Sequence, residues 1–479
     1  MTSTVTFFDH RADFATGTPR YRQIYTRIKN AIYDGVLKAD DRLPSARALA
    51  KEWGVARGTA EEAYQLLKDE GYVLAKGPLG CFIHPHVKPR DPAANKPLPL
   101  LSSDQKANRD QAELLPFQMG LPALDAFPRG PWQRMTQRLL REMLQAAYRN
   151  APRTGLTELK ASIAQYLSVS RGFDCLPDQV IITGGYRHTL SLVAQALGGE
   201  GKAWVEDPGY PPTRQLLQAL GFTPVAIPVD EQGMDIDAAY RQAGDAKMAV
   251  VTPAHQSPLC CTLSLKRRQA LLAWAREANA FVVEDDYDGE YRMASRPLPA
   301  LKHLDQDDRV LYMGTFSKVL IPSLRLAYLV VPRAQITHFN RVFLSLYDSQ
   351  PTLAQKQVAE FMAEGRFARH IEATRRLYKQ RREQTVSGLL AVLGDYLTID
   401  PQPGGMHIIA RPRFIGQASI DDCKLAQRCI KNGLYANALS TWYTAQPQQG
   451  LLMSYTNISS PEALEEYANI LKTKVFGAH

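Results

Sequence analysis

A lysine and an arginine stand seven residues apart in the stretch of sequence that is richest in chemical information. Lys318 follows the run GTFS just past an apolar, strand-like segment, and Arg325 comes seven residues later. A lysine amine can form a Schiff base with a carbonyl compound. A guanidinium can bind a phosphate through two parallel hydrogen bonds. The pair therefore suits a ligand that has both a carbonyl and a phosphate group.

Two upstream motifs could complete such a site. Asp285 and Tyr287 end another strand-like run, and a carboxylate in that position can pair with a pyridinium nitrogen. The run ITGGYR around Gly185 places glycines between a strand and a helix, where backbone N–H groups can hold a phosphate. Each motif alone also fits a surface lysine or a tight turn. The prediction therefore depends on all three occurring together.

The elements around these motifs have the pattern of a largely parallel α/β domain. Beyond Leu115, short Val/Ile-rich runs alternate with amphipathic stretches. Ligands bind at the carboxyl ends of the strands in such sheets. From about Pro351 a long basic helix leads into a smaller α+β region, and we expect its charges to be solvated. The candidate strands span 180–183, 203–206, 248–252, 281–285, 310–314 and 326–331.

The first ninety residues have a different pattern. Three isoleucines fall one helical turn apart within 21–33, Ser45 is a natural N-cap for a second helix, and a third helix starts near Arg57. Two short strands at 72–75 and 81–83 then predict a β-hairpin. Three helices followed by a hairpin are the elements of a winged helix-turn-helix. In that motif the start of the second helix of the pair enters the DNA major groove.

Charge and composition divide the chain further. The net charge is +9, and residues 19–90 hold 13 Lys and Arg against 8 Asp and Glu, a surplus that is compatible with an anionic partner. Five prolines between 84 and 103 favour an extended linker. We therefore predict an amino-terminal extension at 1–18, a DNA-binding unit at 19–86, a linker at 87–114 and a large domain at 115–479.

The same composition argues against several classes of protein. The six cysteines have neither CxxC pairing nor metal-ligand spacing with histidine, so no disulfide framework and no metal site are expected. No apolar stretch is long enough to span a bilayer, and the first residues do not form a signal peptide. These features predict a protein of a reducing cytoplasm that has no membrane partner.

The segment from Tyr21 to Ile83 resembles the GntR-type winged helix-turn-helix over its whole length. The resemblance implies binding to double-stranded DNA, and thereby a location in the bacterial cytosol at the nucleoid. It also implies that Arg47 and Arg57 contact bases or phosphates, while Ser45, Thr59 and Lys76 position the DNA backbone. A small helical domain that binds another protein is the alternative, because this topology alone is a modest signal.

The large domain resembles the fold-type I aminotransferases, and specifically the MocR branch, in which that fold follows a GntR-type unit. The motifs GLTELKASIAQYL, WVEDPGYPP, TPAHQSPLCCTLSLKRRQALLAWA and GGMHIIARP support the resemblance over nearly all of the domain. It implies pyridoxal phosphate (PLP) as the cofactor and Lys318 as the Schiff-base residue. The other implied cofactor contacts are Asp285 to the ring nitrogen, Tyr287 to the ring hydroxyl, Tyr210 stacked on the ring, Thr315, Arg325 and the Gly185 and Tyr186 backbone on the phosphate, and His255 or Gln256 near the ring edge.

One feature of the family is missing. Aminotransferases usually bind the substrate carboxylate with an arginine near the carboxyl end, but no arginine follows Arg428. The leading hypothesis is therefore a regulator whose DNA affinity responds to PLP, or to an amine or amino acid effector that forms an aldimine. The alternative is an active aminotransferase with an accessory DNA-binding domain, and even the regulator could retain a weak transamination half-reaction. A third interpretation, a degenerate site that serves only dimerisation, conflicts with the intact Lys318 motif. The resemblance also implies a homodimer, for which the linker is long enough to allow domain swapping.

Overall fold

The computed structural model describes residues 14–89, 114–145, 152–291, 299–402, 404–413 and 421–477. The chain divides into two compact units, Met1–Ala112 and Glu113–His479. Almost all of the linker predicted at 87–114 and most of the extension predicted at 1–18 lie outside the described residues. Those boundaries remain predictions. In the described part of the chain, no helix is both long and apolar enough to cross a membrane.

The first unit is a winged helix-turn-helix, as its sequence pattern predicts. Its elements pack through a shared apolar core that includes Ile24, Leu49 and Leu67, all essentially inaccessible to solvent. Ser45 caps the second helix by accepting a hydrogen bond of 3.2 Å from the Ala48 N–H. The elements are α1 (Arg20–Tyr33), α2 (Ala46–Trp53), α3 (Arg57–Asp69) and the antiparallel pair β1 (Val73–Ala75) and β2 (Cys81–Ile83).

The second unit is built on an eight-stranded sheet with the order β3-β10-β9-β8-β7-β4-β5-β6. The five strands from β9 to β5 are parallel, β10 is antiparallel to both of its neighbours, and the short β6 is antiparallel to β5. The strands are β3 (Val180–Thr183), β4 (Gly201–Asp207), β5 (Phe222–Asp230), β6 (Gly233–Met234), β7 (Met248–Val251), β8 (Phe281–Asp286), β9 (Val310–Thr315) and β10 (Ala327–Val330).

Helices cover this sheet, which explains why several of its strands are continuous apolar runs. All four residues of β3, of β7 and of β10 are buried. The helices of the second unit up to the long basic one are α4 (Arg129–Gln145), α5 (Thr157–Arg171), α6 (Tyr186–Ala196), α7 (Pro211–Ala219), α8 (Ile236–Ala243), α9 (Leu265–Glu277), α10 (Leu301–Leu304), α11 (Ile336–Leu346), α12 (Thr352–Ala363) and α13 (Arg366–Leu393).

A smaller α+β part completes the second unit. It contains a four-stranded antiparallel sheet with the order β11-β12-β14-β13, which packs with α13 and two later helices. Its strands and helices are β11 (Leu397–Ile399), β12 (His407–Pro412), β13 (Asn437–Ala438), β14 (Leu451–Ser454), α14 (Asp422–Lys431) and α15 (Pro461–Ile470). The predicted fold class, a winged helix-turn-helix followed by an α/β aminotransferase-like domain with a smaller α+β part, is confirmed.

The basic helix α13 differs from the solvated face expected for it. Arg381 is buried and forms an ion pair with Asp125, and it also donates a hydrogen bond to the Thr456 carbonyl. Arg375 donates to the Glu290 carbonyl. These two arginines therefore connect α13 to neighbouring segments. The expectation was wrong for them because the number of charges does not show which face of a long helix is covered.

Candidate cofactor site and DNA-binding surface

A cavity of about 760 Å³ opens at the carboxyl ends of the parallel strands, the expected place for a ligand in this topology. Strands β3, β4, β8 and β9 each end at this edge, so residues distant in sequence converge there. Eight of the ten residues predicted to contact a cofactor line the cavity. They are Gly185, Tyr186, Tyr210, Asp285, Tyr287, Thr315, Lys318 and Arg325.

Lys318 lies in the turn that follows β9 and extends its amine into the cavity. Its Nζ donates a hydrogen bond of 2.9 Å to the carbonyl oxygen of Gly120. Burial lowers the pKa of the Lys318 amine, although the carboxylates of Asp288 and Asp285 partly oppose this effect. A lowered pKa increases the neutral fraction of the amine. The neutral form is the one that attacks a carbonyl carbon.

Asp285, the penultimate residue of β8, lines the same cavity. Its desolvation, followed by the negative charges of Asp286 and Glu206, raises its pKa to about 8. Such a carboxyl group can share a proton with a ring nitrogen placed beside it. Asp286 points to the other side of the strand, where it pairs with Arg171 and accepts a hydrogen bond from Tyr312.

Glu206 is a second acidic group on the cavity wall, and the sequence interpretation did not assign it a role. Its carboxylate accepts hydrogen bonds from the Thr252 N–H at 3.1 Å and the Thr252 hydroxyl at 2.6 Å. Desolvation raises the pKa of Glu206 to about 7. The sequence could have indicated Glu206 by its position near the end of a strand, which runs parallel to the strand that holds Asp285.

One end of the cavity has the donors that a phosphate requires. Gly185 has φ +115 and precedes α6, and within the described residues no side chain caps the first turn of that helix. Its N–H groups and the positive end of the helix dipole are therefore available to an anion. Thr315 and Arg325 line the same cavity from the ends of two adjacent strands, β9 and β10. Arg187, in the first turn of α6, also lines it and was not predicted.

His255 and Gln256, the two predicted ring-edge residues, do not line the cavity. They are 4% and 1% exposed and lie behind its wall. His255 Nδ1 is 3.2 Å from the Tyr287 hydroxyl and 3.0 Å from the Asp288 carboxylate, while the Gln256 amide donates to the Pro208 carbonyl at 2.8 Å. These partners hold both side chains inside the protein, which corrects the assignment.

Ser257 occupies the cavity wall next to these two residues, and the sequence interpretation missed it. A serine hydroxyl there can reach a polar ring substituent. His255 instead contacts the Tyr287 hydroxyl from behind, so it can fix the position of that phenol. The sequence showed a polar run at this place, but it could not show which member of the run faces the ligand.

Tyr210 immediately precedes α7 and lines the cavity, where its side chain is 45% exposed. Its ring centroid lies 5.6 Å from that of Tyr186 and 5.8 Å from that of Trp442. Both neighbours also line the cavity. The three rings form an aromatic wall, and stacking of Tyr210 on a cofactor ring remains a prediction.

The late strand that was expected to lack an arginine is β14. All four of its residues are buried, and it pairs with β12 and β13 in the small sheet. Apolar side chains fill this part of the small sheet. Among the described residues, the arginines that do line the cavity are Arg187, Arg214 and Arg325, which come from other elements.

The predicted DNA contacts lie at the starts of two helices and at the wing. Ser45 and Arg47 are exposed at the start of α2, and Arg57 and the half-buried Thr59 lie in the first turn of α3. Lys76 is exposed at the beginning of the turn that joins β1 and β2. The two helix starts therefore offer basic side chains to a phosphate backbone, and among the described residues no side chain caps the first turn of α3.

Two of these basic groups have acidic partners in the protein. Arg57 Nε lies 2.8 Å from the Glu61 carboxylate, one helical turn along α3, and both side chains are exposed. Lys76 lies 3.3 Å from the Asp40 carboxylate. Exposed pairs of this kind contribute little to stability. They can therefore be exchanged for phosphate contacts. Arg42, which the sequence interpretation missed, is also exposed and bridges to Phe82 in the wing.

Comparison with known proteins assigns both units to families. Residues 20–83 match the bacterial regulatory proteins of the gntR family, and residues 126–460 match the class I and II aminotransferases. The chain is 35% identical to the probable rhizopine catabolism regulatory protein MocR of Rhizobium meliloti, over 95% of this chain and 93% of that protein. The chain belongs to the MocR-type regulators.

Two further relatives agree with this assignment. The pyridoxine biosynthesis transcriptional regulator PdxR of Corynebacterium glutamicum is 32% identical, over 81% of this chain and 82% of that protein. Among solved structures, the α-aminoadipate aminotransferase LysN of Thermus thermophilus, complexed with N-(5′-phosphopyridoxyl)-L-leucine, matches with a TM-score of 0.67 and 26% identity, over 79% of this chain and 99% of that one.

These relatives decide between regulator and enzyme. The curated proteins that match nearly the whole MocR-type chain are named as transcriptional regulators, although the large unit has the aminotransferase fold. The chain is therefore a regulator of the GntR family whose large unit has the aminotransferase fold.

Proposed function

We propose that this chain is a transcription regulator that binds double-stranded DNA through its first unit and PLP through Lys318 of its second unit. Its DNA affinity responds to PLP, or to an amine that reacts with the bound cofactor. The observation that supports this most strongly is the convergence of Lys318, Asp285, Tyr287 and Arg325 on one cavity. Asp285 and Tyr287 come from the end of β8, Lys318 from the turn after β9, and Arg325 from the residues just before β10.

The residues present fit PLP by their chemistry. The Gly185 turn, Thr315 and Arg325 offer the donor groups that a phosphate needs, and a cavity of about 760 Å³ is of the size that holds a cofactor. The amine of Lys318 has a lowered pKa and the carboxyl of Asp285 has a raised one. When bound, PLP supplies an electrophilic carbon that reacts reversibly with primary amines.

The chain's own residues would then have separate roles. Lys318 holds the cofactor covalently, Asp285 keeps a proton at the ring nitrogen, and Tyr287 donates to the ring hydroxyl. Tyr210 shields the ring from water at the mouth of the cavity. Thr315, Arg325 and the Gly185–Tyr186 backbone hold the phosphate, which fixes the orientation of the reactive carbon relative to Lys318.

Regulation requires that the ligand bind two arrangements of the protein unequally. We propose a homodimer, in which each DNA-binding unit contacts one half-site, and a domain-swapped arrangement is compatible with the linker predicted at 87–114. In this scheme Arg47 and Arg57 contact bases or phosphates, and Ser45, Thr59 and Lys76 position the DNA backbone. Such a protein acts on the chromosome in the bacterial cytosol.

The experiment is a measurement of DNA affinity at fixed salt, with and without saturating PLP, for the wild-type protein and Lys318→Ala. DNA from the region upstream of the chain's own gene serves as the probe, with a mixed-sequence duplex as the reference. The proposal predicts that PLP changes the wild-type affinity and leaves that of Lys318→Ala unchanged. Equal responses of both proteins, or no response of the wild type, would contradict it.

A further inference from the structure

The cavity wall has more positive than negative groups. Its cations are Lys318 and the three arginines Arg187, Arg214 and Arg325, while Glu206 and Asp285 are its only carboxylates within the described residues. None of the four cations forms an ion pair with an acidic residue of the described chain. A PLP phosphate has about two negative charges, which Arg325 and Arg187 can balance from positions beside the glycine turn.

Arg214 is the remaining arginine, and it belongs to a different side of the cavity. It lies in α7, the helix that follows β4, whereas Thr315 and Arg325 adjoin β9 and β10. Strands β7 and β8 separate β4 from β9, a distance of about three strand spacings of roughly 4.8 Å each. Arg214 therefore enters the cavity from a different part of the sheet edge than Arg325, and its remaining N–H groups are available to a second anion.

The guanidinium of Arg214 is held in position by the small α+β part. It donates a hydrogen bond to the Thr444 hydroxyl, and the Thr444 N–H in turn donates to the Asp207 carboxylate at 2.6 Å. The Gly209 N–H also donates to the Trp442 carbonyl at 3.3 Å. These bonds fix the segment around Thr444 against the end of β4. One of five guanidinium N–H groups is used here, so others remain for a ligand.

An aromatic wall adjoins this arginine. Arg214 comes one helical turn after Tyr210, so both side chains project from the same face of α7. Trp442 packs beside Tyr210 on the cavity wall. An aliphatic spacer can pack against these rings while an acid group reaches the guanidinium fork, which matches a carboxylate bidentately. The arrangement thus has a place for a spacer and a place for an acid.

We propose that the effector is a primary amine with an acid group, and that Arg214 binds that acid group in place of the absent carboxyl-terminal arginine. The proposal rests on PLP binding at Lys318, because the amine end of the effector reacts there. It assigns a specificity-determining role to Arg214. Simple alkylamines would fit the spacer region but leave the guanidinium without an anion.

The test uses the full-length protein loaded with PLP and follows its visible absorption band. The probes are glycine, β-alanine, γ-aminobutyrate and δ-aminovalerate, each compared with the n-alkylamine of the same number of carbons. In the wild-type protein at least one acid should shift the band at a concentration about ten-fold lower than its matched alkylamine does. A band that none of the acids shifts preferentially would overturn the proposal.

Three variants test whether Arg214 and Thr444 cause the preference for an amine with an acid group. Arg214→Gln should remove the advantage of the acid, Arg214→Lys should keep part of it, and Thr444→Val should reduce it while the positive charge remains. Arg241→Gln, at an exposed arginine of α8, is the matched control and should keep the full advantage. An acid preference that survives in Arg214→Gln would contradict the proposal. Failure of PLP binding itself is distinguishable, because the wild-type protein would then have no visible band before any amine is added.

Discussion

The Nζ of Lys318 donates a hydrogen bond of 2.9 Å to the carbonyl of Gly120, a residue 198 positions earlier in the chain. Gly120 has φ +80, a conformation that favours glycine, and a Cβ added there would lie 2.7 Å from the same Nζ. The backbone at Gly120 thus supports the lysine amine at close range. The cavity depends on a segment that contains none of the chemical motifs.

This contact predicts that Gly120→Ala displaces the Lys318 amine. We expect the affinity for PLP to fall about ten-fold or more, measured by titration of the visible band. Gly365→Ala is the control, because Gly365 has φ +66 but open space around its added Cβ, so it introduces similar backbone strain without the contact. Equal PLP affinity of the two variants would mean that the position of Gly120 has no bearing on the amine.

The raised pKa of Asp285 predicts a pH-dependent stability of the cofactor-free protein. An aspartate in an unfolded chain has a pKa near about 4, whereas that of Asp285 is raised to about 8. Between these values the folded protein keeps a proton that the unfolded chain has lost. The contribution of Asp285 to stability is therefore largest below about pH 4 and is lost progressively as the pH rises to about 8.

Asp285→Asn should make this pH dependence less steep, because the amide does not ionise. Urea denaturation of the second unit at several pH values across the window would measure the slope. Asp237→Asn, at an exposed carboxylate of α8, should leave the slope as in the wild type. If the Asp285 and Asp237 variants had the same slope, the proton would belong to another group.

The pair between Arg57 and Glu61 predicts a competition with DNA. Glu61→Gln should strengthen binding to a mixed-sequence duplex, since it frees Arg57 as well as removing a negative charge. Glu62→Gln removes the same charge without freeing an arginine, so it should have the smaller effect. Arg57→Gln should lower the slope of log affinity against log salt by about 0.9, the release of one counterion. Fluorescence anisotropy at several salt concentrations would show whether the two glutamate variants differ.

The backbone conformation of Cys260 predicts an unusual order of stability among variants at this position. It is buried with φ +61, and its Sγ lies 3.6 Å from His407 Nε2. A β-branched residue is strained in that conformation, so Cys260→Val should be less stable than Cys260→Gly by about 1–2 kcal/mol. At Cys429, a buried cysteine inside α14, the order should reverse because glycine is the poorer helix former. Thermal denaturation of the four variants would compare both orders.

The sequence predicted the site residues that belong to local motifs better than the other residues that line the cavity. Lys318, Asp285 and Arg325 were singled out because each stands at or next to the end of a strand in a recognisable motif. Gly120 and Trp442 lie far away in sequence and reach the cavity only through the folding of the chain. No local pattern marks such contributions.

Two prediction errors have clear physical causes. Strand β5 was not predicted, and its sequence contains Pro224 and Pro228, which each remove a donor from the ladder of hydrogen bonds. It forms nevertheless by pairing with β4 in seven consecutive positions. His255 was placed at the ring edge because the sequence shows a polar loop but not the direction of its side chains. The buried carboxylate of Asp288, its partner, decides that direction.

The most direct test of the account is covalent trapping of PLP on Lys318. The purified protein, incubated with PLP and reduced with borohydride, should lose its visible band and gain the mass of a phosphopyridoxyl group on Lys318, located by peptide mass analysis. Lys160→Ala is the matched control, because Lys160 is also buried with a lowered pKa but does not line the cavity. It should be labelled like the wild type, and Lys318→Ala should not. Label on another lysine, or a wild-type protein that stays colourless with PLP, would contradict the account.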